Sequence, residues 1–181
     1  MTADAGLIAV HAQMNRMATM RGEFVQCPTW LATKIVPGGM AEYFVVPKDN
    51  LAGDTLRLPP DMSFADGSLI EPTACAVKSL RRSGFQAWES VFVIGLGIMG
   101  QLHVALAKHA GARTIIGTDF VPYRCEKAVE LGADLSLNPE DGDVETALKE
   151  YTQGEMPEVV IVGPGSIEAM ELGIRCAAKG G

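Results

Sequence analysis

Residues 90–100, SVFVIGLGIMG, constrain this chain most. Ser90–Gly95 is an apolar run without a charge, the pattern of a parallel strand buried on both faces. Gly95-Leu96-Gly97-Ile98-Met99-Gly100 then makes a GxGxxG, and Leu102–Lys108 reads as a helix closed by Gly111. The glycine pattern is weak alone; leaving a buried strand and opening a helix, it becomes a dinucleotide fingerprint. Gly95 allows the tight turn, Gly97 lets backbone approach a pyrophosphate, and Gly100 lets helix pack on strand. The anion would sit at the helix N-terminus, over Gly97, Ile98 and Met99, where free N–H groups and the helix dipole favour it. Asp119 ends the next apolar run, 19 residues after Gly100. An acid there hydrogen-bonds the adenosine ribose and repels a 2′-phosphate, which favours NAD over NADP. Arg124 fits two readings, beside the adenine or ribose, or as a helix-surface arginine.

The flanking sequence supports the same fold class. Thr114–Thr118, Asp134–Leu137 and Glu158–Gly163 read as strands. Pro122–Gly132, Val144–Tyr151 and Ser166–Ala178 read as helices between and after them. Strict alternation predicts a parallel α/β sheet with right-handed crossovers. Composition changes near residue 88. Upstream, Gly6–Ala12 and Met40–Pro47 read as strands, and residues 13–36 show no clear period. Ser63 caps a short helical turn, and Pro72 opens a helix that runs to about Ser83 and ends at Gly84. This predicts two domains, 1–87 and 88–181.

The chain has 181 residues, 48% hydrophobic and 20% charged, ordinary for a globular protein with a real core. A net charge of −7 argues against a nucleic-acid partner. The four cysteines form no CxxC pair and suggest no disulfide framework, so the expected setting is cytoplasmic. The apolar run Leu7–Val10 is too short for a membrane span.

One carboxylate stands out. Glu71 lies in LIEPTACAV, a run with no other charge. If buried there, it would need an answering charge or metal. An N-cap role before Pro72 is the bland alternative, but Glu is not a preferred cap.

The motifs PGGMAEYFVVP, EPTACAV, VFVIGLGIMG and TDFVPYRCEKAVELGAD occur in this order. Together they resemble the zinc-dependent medium-chain alcohol dehydrogenases, the group that includes sorbitol and threonine dehydrogenases. The resemblance extends from about residue 6 to the last residue. It implies a partial GroES-like β segment followed by a partial Rossmann doubly wound sheet. It also implies hydride transfer between NAD and a small-molecule alcohol, at a catalytic zinc that lowers the alcohol's pKa. In the family, Glu71 is similar to a third zinc ligand, direct or through water. The Cys and the GHE histidine that would share the metal have no counterpart in this sequence. Of the three histidines, His11 is not at a zinc position, and His103 is expected to pack on the Rossmann helix that His109 ends.

The family's structural-zinc lobe is degenerate, over about residues 13–36. Cys27 fits its last cysteine, but the other three positions fall at Gln13, Arg16 and Thr19. One cysteine cannot build a tetrahedral site, so no structural zinc is expected. The chain ends where a fifth Rossmann strand would begin. Family homo-oligomers pair through strands beyond that point. These features predict a fragment inactive alone; the alternative is a non-catalytic nucleotide-binding remnant or interaction module.

Overall fold

The computed structural model describes residues 7–9, 32, 34–48, 51 and 55–180, the first three by backbone alone. Contacts divide the chain into two units, residues 1–71 and 72–181. In the first, β1 (Leu7–Ala9) pairs antiparallel with β2 (Thr55–Arg57), Ile8 opposite Leu56. The strand expected over Met40–Pro47 does not form. Its described residues make a single antiparallel bridge, Val45 to Val36, with bends at 39–43. Strand propensity is realised only where a neighbouring strand offers a ladder. Ser63 caps α1 (Phe64–Ser68) as expected, its hydroxyl accepting from the Asp66 amide.

Helix α2 (Ile70–Arg82) begins two residues before Pro72. The proline is tolerated because first-turn amides have no intrahelical partner. Then follow β3 (Ser90–Ile94), α3 (Ile98–His109), β4 (Thr114–Thr118), α4 (Pro122–Glu130), β5 (Leu135–Leu137), α5 (Val144–Tyr151), β6 (Val159–Val162) and α6 (Ile167–Arg175). Helix α3 starts at Ile98, four residues earlier than expected, because Gly97 is already its N-cap. Helix α6 stops short of Ala178, whose amide donates instead to the Pro157 carbonyl at 2.9 Å.

The four strands form one parallel sheet in the order β5-β4-β3-β6. Every residue of β3 is buried, as its unbroken apolar run requires. Alternation along the strands then feeds two cores. Val91, Val93, Ile115 and Val159 pack with Val104 and Ala107 of α3 and Ala128 of α4. Phe92, Ile94, Ile116 and Val160 pack with Val144 and Leu148 of α5 and Leu172 of α6. Helices therefore cover both faces, the doubly wound arrangement. The chain reverses its direction of strand addition at β3, between β4 and β6, which places the switch point at the end of β3.

On α6, Ile167, Met170 and Ile174 are 71%, 50% and 78% exposed and share one face at helical spacing. β6 beside it is an edge strand among the described strands. An apolar stripe next to an edge favours association. The 181-residue chain is expected to self-associate with rising concentration in sedimentation velocity. Each of Ile167→Ser and Ile174→Ser should weaken that association by about tenfold, given about 1.5 kcal/mol or more per buried Ile. Unchanged sedimentation of the double variant would show that another surface mates.

Candidate dinucleotide site

The glycine turn leaves the carboxyl end of β3. The Gly95 amide donates to the Thr118 carbonyl, and the Gly163 amide to the Ile94 carbonyl, both at 2.8 Å. These bonds tie the turn to both neighbouring strands. Gly95 has φ +87°, and a Cβ there would stand 2.8 Å from Pro164 Cδ. A Cβ at Gly100 would stand 2.0 Å from the Gly95 carbonyl oxygen, inside van der Waals contact with backbone. Both residues must be glycine for the turn to close.

Gly97 differs. Its φ is −66°, which any residue adopts, and nothing lies within 4 Å of where its Cβ would be. As N-cap it offers α3 no side-chain hydrogen bond. The space beside the Gly97 α-carbon is thus open at the positive end of a 12-residue helix whose N-cap gives its first-turn amides no side-chain partner. A pyrophosphate fits that cradle, and a β-carbon at Gly97 would intrude on it.

Asp119 lies just past β4 and is buried. Its carboxylate accepts from the Leu96 amide at 2.7 Å and from the Val121 amide at 2.9 Å. Arg124 of α4 places Nη1 3.4 Å from both carboxylate oxygens, with about half of its side chain exposed. The acid beside the glycine turn therefore also clasps it. Arg124 stands at Asp119, on the exposed side of α4. Thr118 and Cys125 complete the strand end, donating to the Leu137 and Asp119 carbonyls respectively.

Gln101 was not among the residues singled out by motif. Its Nε2 donates to the Leu96 carbonyl at 3.0 Å and to the Arg124 carbonyl at 2.8 Å. No local signal separates it from an ordinary helix-surface glutamine, because both partners come from folding.

Glu71 is not the buried carboxylate that would have needed an answering charge or metal. It is exposed, in the first turn of α2, where helix-end dipoles favour a negative charge. Of its apolar neighbours on the helix, Ile70 is half-buried, Ala74 and Cys75 are exposed on the same face one turn on, and Ala76 and Leu80 are buried. Among the described residues there is no group of three or more His, Cys, Asp or Glu that could hold a metal. Glu71 by itself does not make a zinc site. His11, Gln13, Arg16, Thr19 and Cys27 lie outside the described residues. His103 packs as expected: its Nδ1–H donates to the Met99 carbonyl at 2.7 Å, and Ser79 Oγ bonds Nε2 at 2.8 Å.

A depression of about 350 Å³ lies at the opposite, amino end of the sheet, lined by Ser90, Arg113 and Thr114. Its Ser90 and Arg113 are already engaged. Ser90 donates twice to Glu158, and Arg113 bonds the other carboxylate oxygen at 2.9 Å. Burial raises the Glu158 pKa, but the Ser90 bonds and Arg113 outweigh it and hold the carboxyl below its usual range. Ligands of open α/β sheets bind at the carboxyl ends of strands, where the glycine turn is.

A doubly wound parallel sheet with a glycine turn at its switch point is a Rossmann-type α/β fold. Residues 99–181 match the family model of the zinc-binding dehydrogenases. The D-guloside 3-dehydrogenase of Escherichia coli is 34% identical over 125 residues, 69% of this chain and 36% of that protein. The L-threonine 3-dehydrogenase of Pyrococcus horikoshii is 32% identical over 168 residues, 91% of this chain and 46% of that protein. A zinc-binding dehydrogenase structure from Clostridium scindens superimposes with a TM-score of 0.78 at 28% identity, over 95% of this chain and 47% of that one. The 2R,3R-butanediol dehydrogenase structure from Bacillus subtilis gives a TM-score of 0.63 at 31% identity, over 69% of this chain and 36% of that one. The chain belongs to the zinc-binding dehydrogenase family, and it spans less than half the length of these relatives. Among the described residues no helix is long and apolar enough to cross a membrane.

Proposed function

We propose that this chain forms the nucleotide-binding part of an NAD-dependent alcohol or polyol dehydrogenase. The observation that carries the reading is the open cradle at Gly97. Uncapped first-turn amides of α3 stand beside it, and Asp119 lies at the adjoining strand end. The relatives named as dehydrogenases of a guloside, a hydroxy amino acid and a diol support the same activity class and a small alcohol as substrate. NAD supplies the hydride acceptor when bound. The chain's own part is to hold the pyrophosphate on the amides of Ile98, Met99 and Gly100. Asp119 accepts from the ribose hydroxyls, and Arg124 lies at the ribose edge. A carboxylate retains acceptor sites beyond the two amides it already serves. Glu71 would supply one zinc ligand to the whole dehydrogenase. Residues 1–87 would belong to its catalytic domain and 88–181 to its cofactor domain.

Titration of the 181-residue chain with NADH and NADPH, followed by nicotinamide fluorescence, tests the reading. NADH is expected to bind at least about tenfold tighter, since a 2′-phosphate would meet the buried Asp119 carboxylate. Absence of NADH binding, or a preference for NADPH, would overturn it.

A further inference from the structure

We propose that Gln101 is a positioning residue that sets the cofactor choice of the site; the inference rests on the nucleotide-binding reading above. Its carboxamide nitrogen spans two carbonyls, those of Leu96 in the glycine turn and Arg124 in α4. Both partners only accept, so the amide orientation follows from chemistry. Leu96 is thereby held at both ends of its backbone, by Gln101 at the carbonyl and by Asp119 at the amide. Arg124 is likewise held twice, by Gln101 at its carbonyl and by Asp119 at its guanidinium. The four residues close a ring around the place where the ribose is to be read. Within that ring, Gln101 contributes the two bonds that fix Arg124's helix against the glycine turn.

The same side chain carries an unmet group. Gln101 Oε1 is buried with no hydrogen-bond partner among the described residues. An orphaned buried acceptor offsets much of what two neutral hydrogen bonds contribute. Gln101 is therefore a poor device for stability and an effective one for orientation. An apolar side chain of similar length would remove both the donors and the orphan, leaving stability nearly level while freeing Arg124 from the turn.

The decisive variants are Gln101→Met and Gln101→Glu in the 181-residue chain. For Gln101→Met the thermal midpoint is expected to stay near wild type. NADH and ADP-ribose should both weaken about three- to tenfold, the effect of one or two neutral hydrogen bonds. The preference for NADH over NADPH should narrow, because a released Arg124 can turn to a 2′-phosphate. Gln101→Glu sets a carboxylate against two carbonyls and should weaken NADH further. A purely structural role would lower the midpoint without changing the ratio of the two cofactors. Amide hydrogen exchange gives a readout without ligand: Gln101→Met should speed exchange at Leu96 while leaving Val93 and Ile116 protected. Wild-type chain that fails to bind NADH sinks the nucleotide reading and this inference with it. Wild-type binding, with an unchanged cofactor ratio and unchanged Leu96 exchange in Gln101→Met, sinks this inference alone.

Discussion

Gly100→Ala is expected to destabilise the second unit by more than about 3 kcal/mol, or to prevent its folding, because the new methyl would overlap backbone. The nearest atom is the Gly95 carbonyl oxygen at 2.0 Å, and Gly95 is itself fixed by its bond to Thr118 and by Pro164. No flexible side chain stands in the way that could swing aside. Relief requires that α3 move off β3, which opens the core of Val91, Val93, Leu96 and Val104. Urea denaturation followed by far-ultraviolet circular dichroism measures the loss. Gly97→Ala is the matched control. Its φ is ordinary and its surroundings are open, so it should unfold at the wild-type midpoint. It should nonetheless weaken NADH by about tenfold or more, since a methyl in the cradle displaces at least one charge-assisted bond to the pyrophosphate. If Gly100→Ala were as stable as wild type, the close packing of α3 on the turn would be wrong.

Asp119→Ala is the second large effect. The carboxylate serves the amides of Leu96 and Val121 from a buried position. Its removal strands two donors, at about 1–3 kcal/mol each. Arg124 adds little to that loss, because a half-exposed guanidinium returns to water. Asp119→Ala is therefore expected to lose about 2–6 kcal/mol of stability. Asp119→Asn, which keeps one carbonyl oxygen, should lose clearly less. Both should lower the preference for NADH over NADPH, because the repelling charge is gone. A denaturation midpoint for Asp119→Ala equal to wild type would show that the carboxylate does not hold the glycine turn.

Residues 90–151 were the most legible part of the sequence. Strand β4 runs from Thr114 to Thr118 as read, and α5 from Val144 to Tyr151. In this region burial on both faces writes itself as unbroken apolar runs, and Gly and Pro mark the turns. Helix ends were less legible. The start of α3 at Ile98 depends on the Gln101 amide reaching the Gly97 carbonyl at 2.9 Å and on the contact of Gly100 with the Gly95 carbonyl. The first unit was least legible, because a short strand such as the one expected at Met40–Pro47 depends on a partner that local sequence does not name.

The site divides in the same way. Spacing alone marked Gly95, Gly97, Gly100 and Asp119, because backbone conformation and the length of a βαβ unit leave few other places for them. Which of these glycines is packed shut and which is open was decided by tertiary contacts, Pro164 against Gly95 and empty space against Gly97. Glu71 shows the limit most plainly. Apolar neighbours in sequence left open whether it was buried; the helix leaves this carboxylate exposed, with Ala74 and Cys75 one turn on, and buries Ala76 and Leu80 instead. The sequence by itself determined the order of elements from Ser90 onward, the family and the place of the glycine turn. Only the folded chain brought Gln101, Leu96, Asp119 and Arg124 into one ring, because hydrogen bonds from the glycine turn and α3 to the end of β4 and α4 join residues 23 positions apart.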